Sequence, residues 1–111
     1  LCKEKEVAVP ARDIPGFVGR KLLILTCLAG GPRHGYALIQ EIEEVSGTRI
    51  GPGTLYGLLD DLQSAGLIVE LASVDRRCPF ELTAQGREFL VRKLDEAERL
   101  VAFGRQRLSL S

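Results

Sequence analysis

An excess of positive charge is missing from this chain. Its 111 residues carry 15 Lys and Arg against 15 Asp and Glu, a formal net charge of zero. A dedicated nucleic-acid domain often has a pI above about 9, so bulk charge argues mildly against DNA, although local clustering matters more than the total. Long apolar runs are also missing. None exceeds four residues: Leu22-Leu23-Ile24-Leu25 is one turn of a buried helix and falls far short of the ~20 residues that span a bilayer, so no membrane partner is expected. The N-terminus is of mixed charge, shows no signal-peptide pattern and opens on Leu1 instead of Met, as a trimmed chain would. Cysteine is scarce: Cys2, Cys27 and Cys78 are odd in number and unpaired in spacing, which gives neither a disulfide framework nor a zinc site. A reducing cytoplasm is the simplest compartment. Histidine occurs once, at His34, with no acid at motif spacing. Neither a GxSxG elbow, a P-loop nor a metal-ligand spacing is present, so no enzyme, cofactor or metal is expected.

What is there suits one α+β domain, mostly helical, of ordinary size. Residues 1–15 hold two prolines and alternating charges and read as a loose arm. Val18, Leu22, Leu25 and Leu28 follow at helical spacing, and Gly30-Gly31-Pro32 ends that first helix. A second helix is expected from Gly35 to Ser46, burying Leu38, Ile39, Ile42 and Val45, with Gly47 as its left-handed stop. A third starts at Pro52, where a missing N–H costs nothing. It buries Leu55, Leu58, Leu59 and Leu62 and stops at Gly66, with Leu67 folding back as the contact of a Schellman motif. Leu67 to Ala72 alternates as a strand with Leu67, Val69 and Leu71 on one face. After a polar tip at Val74-Asp75-Arg76-Arg77, the run Phe80-Glu81-Leu82 alternates again, completing a hairpin. Thr83 caps a last helix. Its Leu90, Leu94, Ala97, Val101, Gly104 and Leu108 are spaced four-three-four-three-four, a heptad seam that a small monomer cannot cover and a dimer can.

Three helices followed by a hairpin describe a winged helix-turn-helix: residues 16–83 as the DNA-binding domain, 84–111 as the dimerisation helix. The third helix, 52–65, would enter the major groove with its N-terminal turns. Gly53, Thr54, Tyr56 and Gly57 lie off the leucine stripe, and Thr can touch a phosphate, a base edge or a thymine methyl. Arg76 and Arg77, at the tip of a wing spanning 73–79, would reach phosphates or a minor groove. Arg33 and His34 open the second helix, where backbone N–H groups attract phosphate, and Arg49 adds charge. Against each stands a plainer reading: any short amphipathic helix looks like 52–65, and an Arg-rich turn is usually solvated. Tyr36 is expected to pack with its hydroxyl bonded. Asp60 and Asp61, inside the third helix, repel phosphate. Cations beside Cys78 favour its thiolate, so a redox role is set against an incidental thiol.

These residues resemble a known family. His34-Gly35-Tyr36, Pro52-Gly53-Thr54-Leu55-Tyr56, Leu59, Leu62, Gly66-Leu67-Ile68, then Leu82-Thr83 and Gly86 are similar to the PadR family of transcriptional regulators, over about Leu22 to Leu90. The resemblance implies a winged helix-turn-helix with a C-terminal dimerisation helix, and homodimeric repressors, often of detoxification or efflux genes, some answering to small molecules. Its compact branch has a single C-terminal helix, as here. Two departures stand out. Family members usually carry basic residues after the Tyr of the recognition helix, where this chain has Gly57, Asp60 and Asp61. They usually carry an aromatic pair before the Leu-Thr, where this chain has Pro79-Phe80.

The reading is therefore a cytoplasmic homodimeric repressor whose partners are double-stranded DNA and a second copy of itself, joined through Leu90, Leu94, Ala97, Val101 and Leu108 with the first helix alongside. The rival is a winged-helix protein-interaction module that has lost DNA binding. A small-molecule effector at the dimer interface is compatible with both, although the last helix offers no aromatic cage beyond Phe89 and Phe103.

Overall fold

The computed structural model describes residues 10–72 and 77–109. Among them the elements run α1 (Pro10–Ala29), α2 (Gly35–Ser46), α3 (Pro52–Ser64), β1 (Ile68–Glu70), β2 (Phe80–Leu82) and α4 (Ala84–Arg107). The helix-helix-helix-hairpin-helix order is the expected one. The first helix is longer than expected: it starts at Pro10, inside the segment read as a loose arm, and residues 1–9 lie outside the described part.

One apolar cluster joins every element. Ile24, Leu25 and Leu28 of α1 pack with Leu38 and Ile42 of α2, Leu55 and Leu59 of α3, Ile68 and Phe80 of the hairpin, and Leu90 of α4. The leucine stripe of α3 is buried in full, as its spacing predicts. Val45 is the exception in α2. It is 67% exposed, and Ile50, from the link to α3, is buried instead. The helix ends at Ser46, and Gly47 at φ +75° turns the chain so that the link supplies the apolar contact.

The end of α3 sets the hairpin. Gly66 takes φ +80°, which glycine adopts without steric cost. Leu67 N–H bonds Leu62 C=O and Gly66 N–H bonds Gln63 C=O, both at 3.0 Å, a full Schellman pair. Leu67 is thus spent on the cap and the strand begins one residue later. The alternation shifts with it: Ile68 is buried and Val69 is exposed, the reverse of the face expected for Val69. Strands β1 and β2 pair antiparallel, Ile68 with Leu82 and Glu70 with Phe80. Arg33 adds an isolated bridge to β2, exchanging backbone hydrogen bonds with Phe80 at 3.1 and 2.8 Å. That bridge ties the entry of α2 to the root of the wing.

The segment Leu82-Thr83-x-x-Gly86 is a junction of backbones. Thr83 Oγ1 donates toward the Gly66 and Leu67 carbonyls at 2.8 and 3.1 Å, and accepts from Gly86 N–H at 2.9 Å. Thr83→Val keeps the shape but removes both roles. Its expected cost is about 1–2 kcal/mol, to be read as a lower urea midpoint at unchanged m-value.

Candidate nucleic-acid interface

The exposed side of α3 carries Gly53, Thr54, Tyr56, Gly57, Asp60 and Asp61. Gly53 and Gly57 have open space where a Cβ would stand, so backbone itself forms part of this face. Tyr56 is 51% exposed. Its ring meets Phe80 of β2 at 6.5 Å between centroids, tilted by 60°, and its hydroxyl lies over Gly35, leaving no room there for a Cβ. The two motifs His34-Gly35-Tyr36 and Thr54-Leu55-Tyr56 are therefore halves of one contact: Gly35 is small because Tyr56 rests on it.

Around Tyr56 opens a cleft of about 440 Å³, lined among others by His34, Tyr36, Glu70, Arg77 and Cys78. It runs from the start of α2, past α3, to the root of the wing. His34 is the N-cap of α2, its Nδ1 accepting from Ala37 N–H at 3.4 Å. An acceptor Nδ1 in a neutral imidazole leaves the proton on Nε2, so the ring keeps one donor. Arg77 is exposed on the same side. Tyr36 does not pack as expected but is 58% exposed. Tyr36, Glu70 and Cys78 could not be assigned to this cleft from sequence, because the pairing of β2 with Arg33 is what brings the wing root to α2.

Two expected charges are turned elsewhere. The guanidinium of Arg33 folds back onto the Gly31 and Pro32 carbonyls at 3.1 Å, and its Nε stands 3.5 Å from Glu41 Oε1. That oxygen is buried and has no hydrogen bond of good geometry, so Arg33 serves it as an ion-pair partner. Arg49 pairs with Glu43 at 3.0 Å on the surface, a contact worth little when solvated. Arg76 falls outside the described residues, and the tip of the wing with it. Asp61, though exposed, stands 3.4 Å from Lys21 Nζ of α1.

On the opposite side, a groove of about 600 Å³ runs between α1, the end of α3 and α4, lined by Leu22, Leu25, Leu62, Leu67, Phe89 and Leu100 among others. The heptad reading of α4 needs one correction here. Leu90 is 4% exposed within the single chain and belongs to the core, not to an outer seam. Ala97 lines the groove, and Leu94, Val101 and Leu108 are exposed. The heptad missed Leu100 and Phe103, exposed by 70% and 53%. Arg107 covers the Phe103 ring at 4.7 Å.

Burial first, then the Glu41 carboxylate, push the Cys27 thiol up to about 11, so it stays protonated and unreactive. Among the described residues no group of His, Cys, Asp and Glu is placed to hold a metal ion, and no helix is long and apolar enough to cross a membrane.

Comparison with known proteins agrees with this geometry. Residues 24–92 match the family described as Transcriptional regulator PadR-like. A PadR family transcription regulator from hypervirulent Clostridium difficile superposes with a TM-score of 0.73 at 28% identity, over 80% of this chain and 97% of that one. RosR of H. salinarum, in a complex designated S1, gives 0.67 at 34% identity, over 90% and 89% of the two chains. A 37.1 kDa protein in transposon TN4556 of Streptomyces fradiae is 48% identical over 80 residues, 72% of this chain. The chain spans only 23% of that relative's length. With its fold, its cleft and this match over most of the ordered core, the chain belongs to the PadR-like family of transcriptional regulators.

Proposed function

We propose that this protein is a homodimeric repressor that acts in the cytoplasm by binding a palindromic operator. Helix α3 enters the major groove, and the wing, residues 73–79, lies on the backbone or the minor groove. The observation that carries the reading is the exposed start of α3, whose Gly53 and Gly57 open the helix to close approach beside a cleft holding Tyr56, His34 and Arg77. Thr54 and Tyr56 meet the groove walls, and Arg77 with Arg76 supplies charge to the backbone. Arg49 contributes once DNA competes with Glu43 for it. Arg33, held by Glu41 and its own loop, acts through backbone placement.

Dimerisation uses the groove between α1 and α4. Leu94, Ala97, Val101 and Leu108, joined by Leu100 and Phe103, cover it with the α4 of a second copy. Two-fold symmetry then sets the recognition helices about 34 Å apart, one turn of DNA.

Titration of the protein onto duplexes from its own upstream region tests the reading. Affinity should fall steeply between 50 and 200 mM salt, with a log–log slope of roughly −0.9 per phosphate neutralised. A protein that binds no duplex at the lower salt would instead be an interaction module, the reading that zero net charge and an exposed Asp60 favour.

A further inference from the structure

The two adjacent aspartates of α3 have different surroundings. Successive helical residues point about 100° apart, and this separation divides them. Asp61 meets Lys21 and lines the groove between α1 and α4. Asp60 is exposed and has no hydrogen-bond or ion-pair partner among the described residues. It continues the stripe of Gly53 and Gly57, three residues beyond the second glycine. Both glycines have open space at the Cβ position. With glycine at two successive positions of this stripe the backbone itself can approach a groove, and the first charged side chain along the stripe is Asp60. The helix, PGTLYGLLDDLQS, contains neither Arg nor Lys.

The inference rests on α3 entering the major groove. An ionised carboxylate only accepts hydrogen bonds. Facing phosphates it is repelled, and facing guanine O6 and N7 or thymine O4 it meets other acceptors. Only two major-groove edges offer it a donor, the amino groups of cytosine N4 and adenine N6. Adenine sets the N7 acceptor next to its amino group, whereas cytosine sets a C–H there. We propose that Asp60 is a base-reading residue, selecting cytosine at one position in each half-site by accepting a hydrogen bond from N4. The same charge lowers affinity for DNA at large, because against guanine, thymine or a phosphate the carboxylate is desolvated without a donor, and against adenine its second oxygen meets N7. A feature that weakens non-specific binding thereby raises the ratio of specific to non-specific affinity.

Selection from randomised duplexes with the full chain, its D60A and its D60N variants tests this. Asp60 is on the surface, so both variants should melt as the parent does. The parent should prefer cytosine at one position per half-site by about tenfold, within the range of a good side-chain-to-base contact. D60A should lose that preference while the rest of the motif persists. D60N should move it to adenine, whose N6 and N7 an amide reads together. Three superimposable motifs, even with a uniform gain in affinity for the variants, would reduce Asp60 to a bulk charge and overturn the proposal. A parent that selects a motif with no fixed cytosine overturns it while leaving DNA binding intact. A parent that enriches nothing at low salt removes the DNA-binding reading and this proposal together.

Discussion

Gly86→Ala is expected to destabilise the fold by about 3 kcal/mol or more, lowering the melting temperature by roughly 12 °C. In a helix interior alanine is normally better than glycine by about 0.5–1 kcal/mol, so the sign here comes wholly from packing. A Cβ at position 86 would collide with the backbone carbonyl of Leu67 and crowd Leu82. That carbonyl cannot retreat, because it accepts the backbone N–H of Thr83 at 3.0 Å and its residue closes the Schellman pair at the end of α3. Relief therefore requires moving α4 away from the hairpin. Gly104→Ala, in the same helix with open space at its Cβ, should raise stability by the propensity difference. Thermal unfolding of the two variants should give shifts of opposite sign. Equal shifts would mean that the close approach of α4 to Leu67 is not a constraint on this fold.

Leu100→Asp is expected to leave the protein monomeric and to weaken operator binding by about 100-fold or more, since two half-sites bound through one dimer profit from effective concentration. Leu100 is exposed in the single chain and lines the apolar groove beside Leu22, Leu25 and Phe89. A carboxylate there would be desolvated on dimerisation with no cation assigned to it. Lys21 and Lys93, the basic residues of the groove, already face Asp61 and Glu96 at 3.4 and 3.3 Å. Light scattering coupled to size exclusion reads the oligomeric state, and titration of a full operator against a half-site reads the affinity. A variant that remains dimeric with unchanged affinity would move the dimer contact away from this groove. Leu90→Asp is no substitute, because Leu90 is buried in the core and its loss would unfold the chain before it tested an interface.

The family signature was readable because its residues are constrained locally. Pro52 can begin a helix, Leu55, Leu58, Leu59 and Leu62 recur on one face, and Gly66 can turn left-handed. Each is a property of a few neighbouring residues, and α2, α3 and the start of α4 fall where those properties put them. The strand face is not legible in the side-chain pattern, because Leu67 can belong either to the strand or to the helix stop. Backbone hydrogen bonding to Leu62 decides it, and the side-chain pattern alone does not carry that information. Leu90 departs from the heptad seam for a related reason: a heptad says which residues share a face, but not which partner covers each part of it. The first turns of α4 are covered by this chain's own core, and only the later ones are left open.

The sequence by itself determined the order of elements, their stops and the packing stripe of α3, since these follow from spacing and from the special backbone freedom of Gly and Pro. Only the tertiary structure decided where the charges stand. The bridge between Arg33 and Phe80 commits one arginine to Glu41 and draws the wing root toward α2. Tyr56 resting on Gly35 joins two motifs separated in sequence into one cleft. Packing of α3 against α1 gives Asp61 a lysine and leaves Asp60 facing outward. Identical neighbouring residues acquired different surroundings because a partner for one exists only where distant helices meet.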